Sequence, residues 1–161
     1  MASTSTVLNV SEDTLDDLNG RFLTFYIDKT FYGIELAHVI EIISVQPVTR
    51  IPNLPHYIKG IINLRGKVVP VIDVRLKFNQ PERPYDDKTC IIVVTIDEMH
   101  VGLIVDSVAE VVTIDRNNCS PPPDLGNGAG DKYLRSIAKV GSKVVLNIDI
   151  ERFFASELRT Y

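Results

Sequence analysis

The chain nearly says the same thing twice. Lys67-Val68-Val69-Pro70-Val71-Ile72-Asp73-Val74 returns without a gap as Lys143-Val144-Val145-Leu146-Asn147-Ile148-Asp149-Ile150. A second array follows in the same order: Ile27-Asp28, Gly33, Val39 and Glu41 recur at one offset as Ile96-Asp97, Gly102, Val108 and Glu110. Such self-similarity constrains the fold before any local pattern is read, because each copy has to be the same supersecondary unit. The chain therefore reads as two related halves, roughly 21–78 and 89–154. Residues common to both halves are scaffold. A residue type present in one copy alone is a candidate for function, and the turn Asn63-Leu64-Arg65-Gly66 faces Lys139-Val140-Gly141-Ser142 in the other copy.

With 161 residues, the chain can bury about 70% of its unfolded surface and needs neither disulfides nor metal to hold a core. The net charge of −4 sits in the first 20 residues, where Glu12, Asp13, Asp16 and Asp17 stand without any Lys or Arg. The rest carries 17 charges of each sign. A neutral body argues against nucleic acid, which calls for a basic stripe. Cys90 and Cys119 form no C-x-x-C motif and read as free thiols of a reducing cytosol. The N-terminus has no basic region followed by an apolar one, so no signal peptide is expected. Nor is any aliphatic run long enough to span a membrane.

Residues 1–20 read as a disordered acidic tail, with a weak helix over 13–18 as an option. From residue 21 the pattern is that of strands: 22–27 and 31–35 as a hairpin, 58–64 and 67–72 as another, 89–96 as a buried strand paired with 100–105, and 133–140 with 143–148 as the last hairpin. Leu36, Val39, Ile40 and Ile43 fall on one face of a short helix, with Glu41 away from it. The similar run Val105, Val108, Ala109, Val112 is too β-branched for that and reads as strand. Pro70 suggests an edge strand or a bulge. Residues 79–88 form a polar linker, and 115–132 a long mobile loop. Asp149 caps a C-terminal helix with Ile150, Phe153, Phe154 and Leu158 on one face. Short, regularly spaced strands in halves of this size point to two five-stranded small barrels that exchange a strand.

No nucleophile or metal cluster stands out. His38, His56 and His100 are scattered and read as surface or capping residues. Gly126-Asn127-Gly128-Ala129-Gly130 lacks the Lys-Ser/Thr of a phosphate loop, and the matched Asp73 and Asp149 read as caps rather than catalytic acids. No catalytic residue, metal or cofactor is expected. Glu41 and Arg65 are the pair that stands out: the turn arginine reads either as solvated or as half of a partly buried ion pair, the latter worth roughly 3–5 kcal/mol when one partner is deleted.

The block Gly60-Ile61-Ile62-Asn63-Leu64-Arg65-Gly66 with Pro70-Val71-Ile72-Asp73 downstream resembles the hallmark of the CheW family of chemotaxis coupling proteins. Val39-Ile40-Glu41-Ile42 and Val101-Gly102-Leu103-Ile104-Val105-Asp106 resemble it too, and the match covers about 20–155. The resemblance implies a mainly β fold of two intertwined five-stranded SH3-like barrels with short helices, within a domain over 21–155. Residues 156–161 form the helix end. It also implies a non-enzymatic adaptor between chemoreceptor cytoplasmic tips and the regulatory domain of the histidine kinase CheA. That places it in the cytoplasm, at membrane-associated receptor arrays, without membrane insertion. By the same resemblance Val39, Glu41, Asn63, Arg65 and Gly66 face the receptor. Leu23 and Leu36 lie on the kinase lobe, although both could equally be core. With nothing after residue 161, the stand-alone coupler is expected rather than the module inside a kinase or fused to a receiver domain. A small nucleic-acid-binding barrel is the alternative.

Overall fold

The computed structural model describes residues 6–7, 20–122 and 133–155. Among the described residues twelve strands run in chain order: β1 (Thr6–Val7), β2 (Arg21–Ile27), β3 (Thr30–Glu35), β4 (Val39–Ser44), β5 (Ile58–Leu64), β6 (Lys67–Asp73), β7 (Cys90–Ile96), β8 (Met99–Val105), β9 (Ser107–Thr113), β10 (Cys119–Ser120), β11 (Leu134–Val140) and β12 (Lys143–Ile148). They form two six-stranded sheets, β1-β4-β7-β8-β6-β5 and β10-β11-β12-β3-β2-β9. The chain divides accordingly into two units. Among the described residues one takes 6–7 and 38–108, the other 20–37, 109–122 and 133–155. The opening hairpin of each half thus lies in the sheet of the other half.

The duplication is visible in the register. In the first sheet β6 runs parallel to β8, with Val71 opposite Gly102. In the second β12 runs parallel to β3, with Asn147 opposite Gly33. These are the same four positions of the repeat. Both glycines are required by this crossing, since a Cβ on Gly102 would press on Ile91 and Val71, and one on Gly33 on Asn147 and Val145. The antiparallel hairpins carry the same irregularity as well. A bulge interrupts β5 between Ile58 and Gly60, and one interrupts β11 between Leu134 and Ser136. Segments 67–74 and 143–150 therefore occupy equivalent strands, each ending in an aspartate. Asp73 accepts from the Leu76 amide and Asp149 from the Arg152 amide, capping the short helices Val74–Lys77 and Ile150–Phe153.

Neither sheet closes into a barrel, which corrects the architecture expected from the sequence. Among the described residues no pairing joins β1 to β5, or β10 to β9. The outer edges are instead occupied by short extra segments. Thr49 bridges β5 at Ile61, with backbone bonds of 2.8 and 2.9 Å. At the equivalent place β10 pairs with β11, Ser120 opposite Ile137. The outer edge of β4 is taken by β1, with Val7 opposite Glu41. Each short segment fills ladder positions that a closing strand would need. What the fold keeps of the expectation is two SH3-like sheets of matched topology with a few short helices.

The helix expected over residues 36–43 is also absent. Leu36–His38 makes one 3-10 turn, and the chain then extends as β4. Val39, Ile40, Ile42 and Ile43 are β-branched and nearly every position is apolar, so the run fits a period of two as well as 3.6. Pairing with β7 decides it, Ile42 opposite Ile92 and Ile43 opposite Ile91. β7 itself is buried on both faces at Ile91, Ile92, Val93 and Val94, as its unbroken apolar run implied. β9 is a strand, as its β-branched content required. Pro70 lies in neither an edge strand nor a bulge of its own. β6 sits between β8 and β5, and the proline falls one residue before the β8 register begins at Val71.

The helix considered over 13–18, most of the 115–132 loop and Leu158 lie outside the described residues. Ile150, Phe153 and Phe154 are buried as the helix reading proposed. Among the described residues no helix is long and apolar enough to cross a membrane.

Candidate functional site: an ion pair at an arginine turn

The hairpin β5–β6 closes through two residues, since Leu64 pairs with Lys67 and leaves Arg65 and Gly66 as the loop. Both loop residues have positive φ, 50° and 85°. This is the twist a two-residue hairpin prefers, and Asn or Gly is usual at its first position. The Asn63 side chain holds the turn by accepting from the Gly66 amide at 2.9 Å. In the equivalent hairpin the first loop position is Gly141, at φ 60°. Arginine at that position costs roughly 1–2 kcal/mol against glycine, so local preference does not account for it.

A distant contact does. The Arg65 guanidinium donates to Glu41 Oε1 and forms an ion pair with it. Glu41 belongs to the inward set of β4, alternating with Val39 and Ile43, rather than to the outer side of a helix. Its side chain is 0% exposed, whereas that of Arg65 is 60% exposed. Glu41 Oε2 is buried and, among the described residues, has no hydrogen-bond partner. Deep strand position and exposed turn are thus joined by one charge-assisted bond.

Beside the pair lies a cavity of about 210 Å³, lined by Ile40, Glu41, Leu64, Arg65, Lys67, Val93 and His100. A shallower depression of about 350 Å³, bordered by Val68, Pro70 and Met99, shares Lys67 and His100 with it. Burial pushes the His100 imidazole below its ordinary pKa, and the Lys67 charge adds to this, while Glu41 pulls the other way. His100 was read from the sequence as a surface or capping residue. It is in fact a half-buried wall of the groove.

The second unit shows what the same scaffold does without these residues. Phe31 stands where His100 would be and Tyr26 where Thr95 would be, with the same pairing across the hairpin. Their rings meet at 4.9 Å between centroids. Lys143, the counterpart of Lys67, donates to Tyr26 Oη at 2.8 Å and lies over the Phe31 ring. Glu110, the counterpart of Glu41, is exposed, and its backbone is held by Thr24 Oγ1. One copy sets two aromatic rings under its lysine at these positions. The other sets a histidine beside an open, charged cavity.

Of the residues expected to face a receptor, all five lie in one unit: Glu41, Asn63, Arg65 and Gly66 meet at the turn, whereas Val39, 3% exposed in β4, is core and does not line the cavity. Leu23 and Leu36 belong to the other unit, where they are 3% and 5% exposed. They support a surface rather than form it. Lys67 and His100 were missed as site residues. The signal for His100 was in the repeat, where a histidine replaces a phenylalanine at one offset.

Residues 21–158 match the family described as the CheW-like domain. The chain is 36% identical over 157 residues to the chemotaxis protein CheW of Klebsiella aerogenes, covering 98% of this chain and 93% of that protein. It is 33% identical over 129 residues to the chemotaxis protein CheW of Bacillus subtilis, covering 80% and 83%. Among solved structures, the scaffolding protein TtCheW of Thermoanaerobacter tengcongensis superposes with a TM-score of 0.78 at 36% identity, covering 84% of this chain and 92% of that one. With a family match over most of its length, a repeated sheet topology and the Asn-Leu-Arg-Gly turn, this chain belongs to the CheW family of chemotaxis coupling proteins, the non-enzymatic adaptors between chemoreceptors and the histidine kinase CheA.

Proposed function

We propose that the groove at Glu41 and Arg65 docks the cytoplasmic tip of a chemoreceptor, with Asn63 and Gly66 shaping its turn and Val39 supporting it from the core. The surface supported by Leu23 and Leu36 docks the regulatory domain of the kinase CheA. The work is done in the cytoplasm at membrane-associated receptor arrays, with no insertion into the bilayer. The observation that carries this reading is the ion pair itself. It exists in one copy of the repeat, it holds an arginine in a backbone conformation that glycine would fill at less cost, and it exposes most of that arginine to a partner. A guanidinium so placed offers fork-like contacts that lysine does not.

The test is a binding titration with a purified receptor cytoplasmic fragment. Arg65→Ala keeps the Cβ and with it the backbone strain, so it isolates the guanidinium. Receptor affinity is expected to fall at least tenfold, about 1.4 kcal/mol, while affinity for the kinase regulatory domain stays at the wild-type value. Arg65→Lys restores part of the loss. Wild-type receptor affinity in a folded Arg65→Ala protein would remove the groove from the docking surface.

A further inference from the structure

We propose that the cavity beside Glu41 is a socket for a neutral hydrogen-bond donor, a side-chain amide or hydroxyl carried by the docking segment, with Glu41 Oε2 as its acceptor and His100 as the facing wall. This rests on the docking reading above and adds the chemistry that the groove selects.

Glu41 has two acceptor oxygens, and the protein uses one. Oε1 takes the Arg65 guanidinium, whereas Oε2 is buried without a partner among the described residues. A carboxylate oxygen withdrawn from bulk water and left without a donor is costly, so its position favours any partner that supplies one. The cavity that Glu41 lines holds about 210 Å³, room for one small side chain rather than a single water, whose share of the liquid is about 30 Å³.

The walls select among donors. Arg65 and Lys67 both border the cavity, so a lysine or arginine from the partner would meet two like charges. A carboxylate would meet Glu41. An aliphatic group would leave Oε2 dry and unbonded. A neutral amide or hydroxyl satisfies the oxygen and adds no charge. His100 completes the fit. The imidazole is held toward its neutral form by burial and by Lys67, and a neutral ring offers one donor and one acceptor nitrogen. A side-chain amide can donate to Glu41 and use its other face on the ring.

The second unit is the internal control. Phe31 takes the place of His100 there, packed on Tyr26 with Lys143 over its ring, and Glu110 is turned out to solvent. A phenylalanine at this position of the hairpin is thus a residue the scaffold already accommodates.

Titration of a receptor cytoplasmic fragment against His100→Phe provides the test, because the Glu41–Arg65 pair is untouched. Affinity is expected to fall at least tenfold at an unchanged melting temperature, and His100→Asn, which keeps the socket open and polar, stays within threefold of the wild type. An alanine scan of the Asn, Gln, Ser and Thr side chains at the receptor tip should reveal one whose loss weakens wild-type binding at least fivefold and has no further effect on His100→Phe. If Arg65→Ala loses binding and His100→Phe does not, the socket is overturned while the docking reading stands. If neither variant changes affinity, the docking reading falls and the socket with it. Should His100→Phe fail to fold, the scan on the wild-type protein decides: no amide or hydroxyl whose removal matters would overturn the proposal.

Discussion

Arg65 holds a left-handed backbone position, φ 50°, that its counterpart Gly141 fills without strain. Strain of this kind persists where the surroundings over-determine it, and here they do so through Glu41. Deleting one partner of a buried pair costs roughly 3–5 kcal/mol. Arg65 is 60% exposed, so water can reach much of its side of the contact. Arg65→Ala is therefore expected to lower stability by only about 1–3 kcal/mol, at the weak end between surface and buried pairs. Adding Glu41→Leu removes the orphaned carboxylate and should recover most of that loss in a denaturant titration without restoring receptor affinity. A double variant that regained binding would show the pair to be structural. His100 adds a pH dependence. Its folded-state pKa lies below the ordinary 6.5, so the unfolded chain takes the proton first. Stability is complete above pH 6.5 and declines as pH falls through that value toward the folded pKa. His100→Asn should show a smaller drop in melting temperature between pH 8 and 5.5. From the residues alone, Arg65 stood out because the two copies of the repeat could be compared. The burial of Glu41 did not, because an acidic residue within an apolar run reads as outward whenever the run is taken for a helix.

That misreading belongs to the element. Val39–Ser44 satisfies both periods, and only its neighbours β7 and β1 make it a strand. Hairpins were legible because each carries its own closing turn and alternation. Edges were legible only in part: residues 48–51 read as extended before Pro52, but a piece that short does not show which strand it pairs with, and Cys119–Ser120 lies in what reads as loop. The aspartates that end β6 and β12 were legible as caps from their matched positions, but they are not equal in what they hold. Asp73 also accepts from Tyr85 Oη at 2.8 Å and is buried, tying the linker to the strand end. Burial and the Asp73 charge both raise the Tyr85 pKa, keeping its phenol a donor. Asp149→Ala should cost about 1 kcal/mol, the usual value of a cap. Asp73→Ala should cost about 2 kcal/mol or more, because a part-buried hydroxyl loses its acceptor as well. Equal losses in thermal denaturation would show the Tyr85 bond to be idle. Gly60, at φ 142°, is a further point of contrast. A Cβ there would overlap the Thr49 carbonyl, so Gly60→Ala should destabilise strongly, although Ser136 is accepted at the equivalent position of β11.

At the scale of the molecule the repeat is the informative feature, because one scaffold is used in two ways. In both copies the same strands pair in the same register, and the hairpin that opens each half is lent to the other sheet. The copies then diverge at a handful of positions. Tyr26 and Phe31 set two rings against each other in one, while in the other His100 lines an open cavity beside Glu41 and Arg65. An adaptor requires two separate surfaces, each near 800 Å² per partner for a stable contact, and unequal copies of one unit supply the difference between them. The duplication was readable from sequence at once, whereas the open edges depended on pairings between segments remote in the chain. Whether one chain holds receptor and kinase at separate surfaces is decided by mixing it with a purified receptor cytoplasmic fragment and the kinase regulatory domain and following the assembly by size-exclusion chromatography. A single peak containing all three components is expected, from which Arg65→Ala removes the receptor fragment and leaves the kinase domain bound. Displacement of one partner by the other, or loss of both with Arg65→Ala in a folded protein, would contradict it.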